Sequence, residues 1–277
     1  MSEIDIYEQA LTTTYRRQIW SRFLKALHEY KLISEGDVIC VCISGGKDSM
    51  AMAKLFSALK KFDMFKFEVK YLVMNPGYNE LNLQKIKDNI AKLGIPAEIR
   101  ETNIFEVANA QTKSPCFLCA KMRRGALYNI AKSMGCNKIA LGHHYDDVIE
   151  TTLMNMLSSG SFQTMLPKLK STNYEGMELI RPLYYIREID IIRFTKRFDI
   201  DCIRCACRFT EEDADENSET HSRRQEIKEL IKQLTKTIPQ VEDNLFNAPN
   251  NVTLDMILGY KEGGVYHSFL DDYDEEK

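Results

Sequence analysis

The chain has 277 residues, 44% of them hydrophobic and 28% charged, enough for one large or two small domains with a true core. Its composition is that of a soluble globular protein, no apolar run approaches the ~20 residues that span a bilayer, and Glu3, Asp5 and Glu8 occupy a start without an apolar signal core; the reading is cytoplasmic, with no membrane. The net charge of −3 hides an imbalance: residues 1–210 hold 30 Lys/Arg against 23 Asp/Glu, and residues 211–277 hold 7 against 17, a basic body suited to a polyanion and an acidic end.

Residues 15–32 read as an amphipathic helix with Ile19, Phe23, Ala26, Leu27 and Tyr30 on one face, and Arg16, Arg17, Arg22 and Lys25 largely off it. Gly36-Asp37 turns into a buried strand at 38–43, followed by a glycine turn and a helix. A second strand over 67–74 ends at Asn75-Pro76-Gly77, a helix over 81–93 closes at Gly94, and strands follow at 97–101 and 138–141. Another helix covers 148–157. Residues 159–185 read as loop-rich, 187–198 as helical, 211–219 as an acidic linker or helix start, and 223–235 as a helix. Residues from 244 on are weakly patterned, and 271–277 read as a disordered acidic tail. Strands alternating with helices predict an α/β fold with a doubly wound parallel sheet. The expected division is an N-terminal helix over 1–36, the α/β domain over 37–210, and an acidic, partly disordered C-terminal helical extension over 211–277.

Ligands of such sheets lie beyond the carboxyl ends of the strands. Ser44-Gly45-Gly46-Lys47-Asp48-Ser49 stands at the first of these ends. Its glycines let main-chain N–H groups converge, the helix start adds a positive dipole, Lys47 adds charge, and Ser44 and Ser49 add hydroxyls, so the segment suits phosphate. It lacks the Walker A spacing. The main chain around Met74 and Gly142 is placed to flank an adenosine, and His143 or His144 to polarise a nucleotide group or to serve as scaffold. Gly142-His143-His144-Tyr145-Asp146-Asp147 opens a helix. Its two acids either cap that helix, or place a carboxylate on Mg²⁺ or near a reacting base.

Eight cysteines form a third pattern: Cys40, Cys42, Cys116, Cys119, Cys136, Cys202, Cys205 and Cys207. Cys116-Phe-Leu-Cys119 brings two thiolates from one turn to one metal or cluster. A second group, Cys202-Ile-Arg-Cys205-Ala-Cys207, lies far along the chain. Spacing alone leaves open an iron–sulfur cluster, a four-cysteine zinc, a redox pair or unligated thiols.

The loop at 44–49 resembles the PP-loop of the N-type ATP pyrophosphatases, a Rossmann-like fold. That loop, followed by Pro115-Cys116-x-x-Cys119 with Arg123 and Arg124, by Gly142-His143-His144-Tyr145-Asp146-Asp147, and by Leu166-Pro167-Lys168-Leu169 and Ile180-Arg181-Pro182-Leu183, is similar to the TtcA-type tRNA 2-thiocytidine synthetases over residues 12–210. The resemblance implies ATP and Mg²⁺ held by Ser44, Gly45, Gly46, Lys47, Asp48 and Ser49, with Asp48 and Asp147 on the metal. It implies a [4Fe–4S] cluster held by Cys116, Cys119 and a third cysteine. That third ligand is Cys207 when counted from Arg181 with one residue deleted, with Cys205 as the alternative. The implied reaction adenylates the C2 oxygen of a tRNA cytidine, cytidine 32 in that family. Sulfur from the open iron then replaces it, with Lys47, Asp146 and Arg123 as catalytic residues. Implied partners are tRNA and a sulfur donor such as a cysteine desulfurase; a homodimer is compatible with the chain. The alternatives are a lysidine synthetase-like tRNA ligase, a small-molecule PP-loop enzyme, and a non-catalytic metal-bearing tRNA-binding protein.

Overall fold

A computed structural model describes residues 5–62, 65–110, 115–203, 223–271 and 273; at Asn109 and residues 115–117 the backbone alone is described. The chain divides into two compact units, Met1–Val148 with Met165–Ser222, and Ile149–Thr164 with Arg223–Lys277.

The first unit is built on a six-stranded sheet. The strands are β1 (Val38–Ile43), β2 (Glu68–Asn75), β3 (Ala97–Glu101), β4 (Lys138–Ala140), β5 (Lys168–Lys170) and β6 (Glu178–Ile180), in the spatial order β3-β2-β1-β4-β6-β5. All neighbours are parallel except β5 with β6. The chain runs from β1 outward to β3, then returns to the other side of β1 as β4. The strand order therefore reverses between β1 and β4, where ligands of doubly wound sheets sit. The expected α/β sheet is present, with two more strands than the four read from sequence. The stretch 159–185, read as loop-rich, contains β5 and β6; each has three residues, too few to show a pattern.

The helices are α1 (Ile6–Thr12), a π-helical turn Arg16–Trp20 leading into α2 (Ser21–Glu29), α3 (Lys47–Leu59), α4 (Glu80–Lys92), α5 (Ile104–Asn109), α6 (Pro115–Ser133), α7 (Tyr145–Ser159) and α8 (Glu188–Arg197). The predicted apolar face of 15–32 is buried at Ile19, Phe23, Ala26 and Leu27, and Arg16, Arg17 and Lys25 are exposed. α3 is the central helix. Met50, Ala51, Met52, Ala53, Leu55 and Phe56 are all fully buried, which suits a helix that is apolar nearly all round. Each large side chain so buried contributes about 1.5–3 kcal/mol. Lys54 is buried among them, and its ammonium is held by Asp5, by Glu8 at 3.1 Å and by the Leu93 carbonyl at 2.8 Å. These contacts fasten α1, absent from the sequence reading, to the central helix. Lys138 of β4 is likewise buried and paired, to Asp37 at 2.8 Å, Glu178 at 3.3 Å and the Leu32 carbonyl at 2.9 Å.

The second unit contains the later part of α7, α9 (Arg223–Thr237), α10 (Val241–Asn247) and a hairpin of β7 (Gly259–Glu262) and β8 (Val265–Ser268). Ile227, Ile231, Val241 and Phe246 are buried there, and Arg224 pairs with Glu150 at 3.3 Å. The helix expected over 223–235 is present. The hairpin falls in a region read as weakly patterned. Residues 204–222, 272 and 274–277, which include the acidic run and most of the acidic tail, lie outside the described residues. Among the described residues no helix is long and apolar enough to cross a membrane.

Candidate active site

β1 ends at Ile43 and the chain turns through Ser44, Gly45 and Gly46 into α3. Gly45 has φ +85°, the left-handed region that disfavours any residue with a Cβ. It is also crowded: a Cβ there would stand 2.7 Å from Ile86 of α4 and 2.8 Å from Ile203. Gly46 is extended and caps α3. Ser49, in the first turn, braces the loop from inside. Its hydroxyl donates to the Gly46 carbonyl at 2.8 Å and accepts the Ser44 N–H at 3.1 Å, with the Ser44 hydroxyl at 3.2 Å. Tyr78 donates to the Ser44 carbonyl at 3.2 Å from the turn after β2. The N–H groups of the α3 first turn, which have no partner within the helix, open into the same space. The arrangement has the form of an anion cradle.

β4 brings the second segment against it. A Cβ on Gly142 would lie 3.1 Å from the Ser49 nitrogen and 3.2 Å from the Asp48 carbonyl carbon. Glycine lets the end of β4 and the first turn of α3 approach this closely; a side chain there would have to push its neighbours back by a few tenths of an ångström. Thus residues 44–49 and 142–147, distant in sequence, meet at the point where the strand order reverses. Met74 is buried at the carboxyl end of β2. His143 is half-buried in the loop before α7. Met74, Gly142 and His143 therefore all stand at the carboxyl edge of the sheet.

The acids after β4 divide their work. Asp147 accepts the His144 N–H at 2.9 Å, while His144 Nδ1 accepts the Asp147 N–H at 3.4 Å, a reciprocal cap on α7. Asp146 faces another helix: it accepts the Glu188 N–H at 2.7 Å and the Arg187 guanidinium at 3.2 Å, and so seats the start of α8. His144 is buried, and its Nε2 lies 3.7 Å from Asp48 Oδ1, an oxygen that no hydrogen bond reaches among the described residues. Burial pushes the Asp48 carboxyl above its ordinary range, and the charge of Asp147 adds to this; His144 and Lys47 offset only part of it. A desolvated carboxylate oxygen beside an anion cradle suits a divalent cation.

Lys47 lies 3.1 Å from Asp48 and 3.0 Å from Glu188. Burial alone would lower its pKa, but the two carboxylates raise it on balance, so the ammonium is held charged. The sequence reading missed Glu188, which has the look of an ordinary first-turn acid. It placed Cys202 in the second cysteine group but gave the third-ligand role to Cys207 or Cys205. After α8 the chain crosses the cradle, and the Ile203 N–H donates to the Gly45 carbonyl at 3.1 Å. Cys202 is half-buried there, and burial, with Asp48 and Asp201 nearby, pushes its thiol up to about 11. The crossing was detectable only as a cysteine next to an apolar residue.

Cys116 and Cys119 lie in the first turn of α6 itself, three positions apart and so on one face of the helix. Cys119 is half-buried, and Cys205 and Cys207 lie outside the described residues. Among the described residues no three His, Cys, Asp or Glu side chains are grouped to hold a metal ion, and Cys40, Cys42, Cys119, Cys136 and Cys202 are in no disulfide. Arg123 is half-buried on α6, and no hydrogen bond or ion pair among the described residues joins it to the cradle.

The chain is similar to known proteins. The model of the PP-loop domain family matches residues 15–234. The tRNA-cytidine(32) 2-sulfurtransferase of Pelobacter propionicus is 34% identical over 231 residues, 82% of this chain and 83% of the relative. The protein of the same name from Geotalea uraniireducens is 36% identical over 241 residues, 85% of this chain and 91% of the relative. Among solved structures, the U34-tRNA thiolase NcsA from Methanococcus maripaludis with its [4Fe-4S] cluster superposes with a TM-score of 0.66 at 20% identity, covering 88% of this chain and 78% of that one, a likeness of fold. The chain belongs to the PP-loop family and, within it, to the family of the tRNA-cytidine(32) 2-sulfurtransferases.

Proposed function

We propose that this protein is an ATP-dependent tRNA sulfurtransferase that replaces the C2 oxygen of a cytidine, cytidine 32, with sulfur. The observation that carries the reading is the meeting of residues 44–49 with Gly142 at the reversal of strand order, in a chain whose relatives bear that name. ATP binds with its phosphates on Ser44, Gly45, Gly46, Lys47 and Ser49, its adenosine flanked by Met74, Gly142 and His143, and Mg²⁺ on Asp48 with Asp147 close by. The cytidine C2 oxygen attacks the α-phosphate, an O–P bond forms, and pyrophosphate leaves. Charge grows on the leaving group where the cradle N–H groups and Lys47 are already aimed, which is where fixed dipoles lower a barrier most. A sulfur nucleophile then forms the C2–S bond, and AMP departs with the former C2 oxygen.

A [4Fe–4S] cluster on Cys116, Cys119 and one cysteine of the second group would supply the sulfur-transfer chemistry. The donor set fits: thiols come from one helical turn and from a segment whose first cysteine lies against the cradle. For that third ligand Cys202 joins Cys207 and Cys205 as a candidate, because the Ile203–Gly45 hydrogen bond brings its segment to the loop. Asp146 acts by positioning α8, and Arg123 steadies the AMP phosphate or the tRNA backbone from α6. The basic balance of residues 1–210 favours tRNA, and the target base must leave its stack to reach C2. A cysteine desulfurase-type donor and a cytoplasmic location accompany the reading.

The test is mass spectrometry of tRNA nucleosides from cells with and without the gene. The reading predicts that 2-thiocytidine disappears on deletion, returns with the intact gene, and does not return with Lys47→Ala. Undiminished 2-thiocytidine in the deletion strain would reject the substrate.

A further inference from the structure

Lys47 is enclosed between two carboxylates. Its Nζ lies 3.0 Å from Glu188 Oε1 and 3.1 Å from Asp48 Oδ2, with the Lys47 and Glu188 side chains 28% and 20% exposed. Asp48 belongs to the loop itself, whereas Glu188 reaches in from the first turn of α8. That turn is fixed independently of the Glu188 side chain, because Asp146 holds the Glu188 main-chain N–H at 2.7 Å and the Arg187 guanidinium at 3.2 Å. The Glu188 carboxylate therefore occupies one side of the ammonium, with the same sign of charge as an incoming phosphate oxygen. Two anions on one ammonium repel each other, the more so where little water screens them.

We propose that Glu188 is a positioning residue of the nucleotide cycle, holding Lys47 at the cradle when no phosphate is bound, yielding it to the incoming phosphates, and reclaiming it as pyrophosphate leaves. The proposal rests on the reading of residues 44–49 as a pyrophosphate cradle. It has a directional consequence. A residue that merely supports the site weakens ligand binding when removed, but a residue that competes with the ligand strengthens it. Removing the Glu188 charge tightens both ATP and pyrophosphate, and slows turnover by retaining the product.

The experiment is calorimetric titration of the full-length protein with inorganic pyrophosphate and, separately, with ATP and Mg²⁺, for wild type, Glu188→Gln, Glu188→Asp and Lys47→Ala. Circular dichroism checks the fold of each. Glu188→Gln should bind pyrophosphate about two- to fivefold more tightly, the size expected of one partly exposed ion pair. In turnover its KM for ATP and its kcat should fall together, and Glu188→Asp, which keeps the charge on a shorter arm, should lie between. Glu188→Gln binding pyrophosphate as wild type does, or more weakly, while Lys47→Ala abolishes binding, would overturn the proposal and leave the cradle standing. Undiminished binding by Lys47→Ala would instead overturn the cradle, and the proposal with it.

Discussion

The Asp146 carboxylate accepts the Glu188 main-chain N–H at 2.7 Å, so an acid at the start of α7 caps the start of α8. The Arg187 guanidinium closes on the same carboxylate at 3.2 Å. Asp146→Ala should therefore remove a cap and loosen a half-buried guanidinium, lowering stability by about 1–3 kcal/mol in urea denaturation. Asp146→Asn, which still accepts the N–H, should lose less. If Asp146→Ala matched wild type, the seat of α8 would lie elsewhere.

Gly45 and Gly142 are required for different reasons. At φ +85° Gly45→Ala costs about 1–2 kcal/mol in backbone strain and drives a methyl into Ile86 and Ile203. It should unseat the Ile203 crossing and abolish ATP binding. Gly142 carries no such strain; Gly142→Ala presses on the Ser49 nitrogen and the Asp48 carbonyl carbon instead. Its expected result is a near-normal thermal midpoint with ATP affinity weakened about tenfold or more, read by calorimetry beside thermal melts.

Acid should act through Asp37. Burial would raise its pKa, but Lys138 at 2.8 Å, Asn137 at 2.8 Å and the Ser34 N–H at 2.6 Å outweigh burial and hold it below the ordinary 3.8. Near that value the unfolded chain then binds more protons than the folded one. The stabilisation is complete above 3.8 and is lost as pH falls below it, through the folded pKa. Asp37→Asn should flatten the fall of stability below about pH 4, and should cost several kcal/mol at neutral pH by leaving Lys138 under-paired. An unchanged acid limb would refute this assignment.

What the sequence made legible was local. The six residues at 44–49 carry their chemistry in composition and spacing, β1, β2 and β4 show themselves as apolar stretches, and β3 as apolar residues alternating with charged ones. Contacts between elements were not legible. Nothing near Glu188 announces that it reaches Lys47, and nothing in the pair Asp146-Asp147 says that one acid caps its own helix and the other the next. β5 and β6 are too short to carry a pattern, and two of the three β5 residues are lysines, Lys168 and Lys170. The hairpin of β7 and β8 was there to be read: Gly263-Gly264, at φ +57° and +87°, is a two-residue turn signal between two runs that contain Tyr260, Val265 and Tyr266.

The cysteines divide into groups with opposite expected behaviour. Cys40, Cys42 and Cys136 are buried in the core, so serine there should cost stability and leave iron content unchanged. Cys116→Ser and Cys119→Ser should each abolish iron incorporation after anaerobic reconstitution. Of Cys202→Ser, Cys205→Ser and Cys207→Ser, one alone should do the same, and iron and sulfide analysis identifies it. A colourless protein containing one zinc would contradict the cluster.

The proposed work of this cradle is to split ATP at the α-phosphate and so make a tRNA oxygen leave. The most direct measurement follows ATP labelled at the α-phosphate through a single turnover, with the anaerobically reconstituted protein, tRNA and a sulfide source. Labelled AMP and unlabelled pyrophosphate are expected, with one AMP for each thiolated cytidine, and neither product with Lys47→Ala. Labelled ADP in place of AMP, or thiolation that proceeds without ATP, would contradict it.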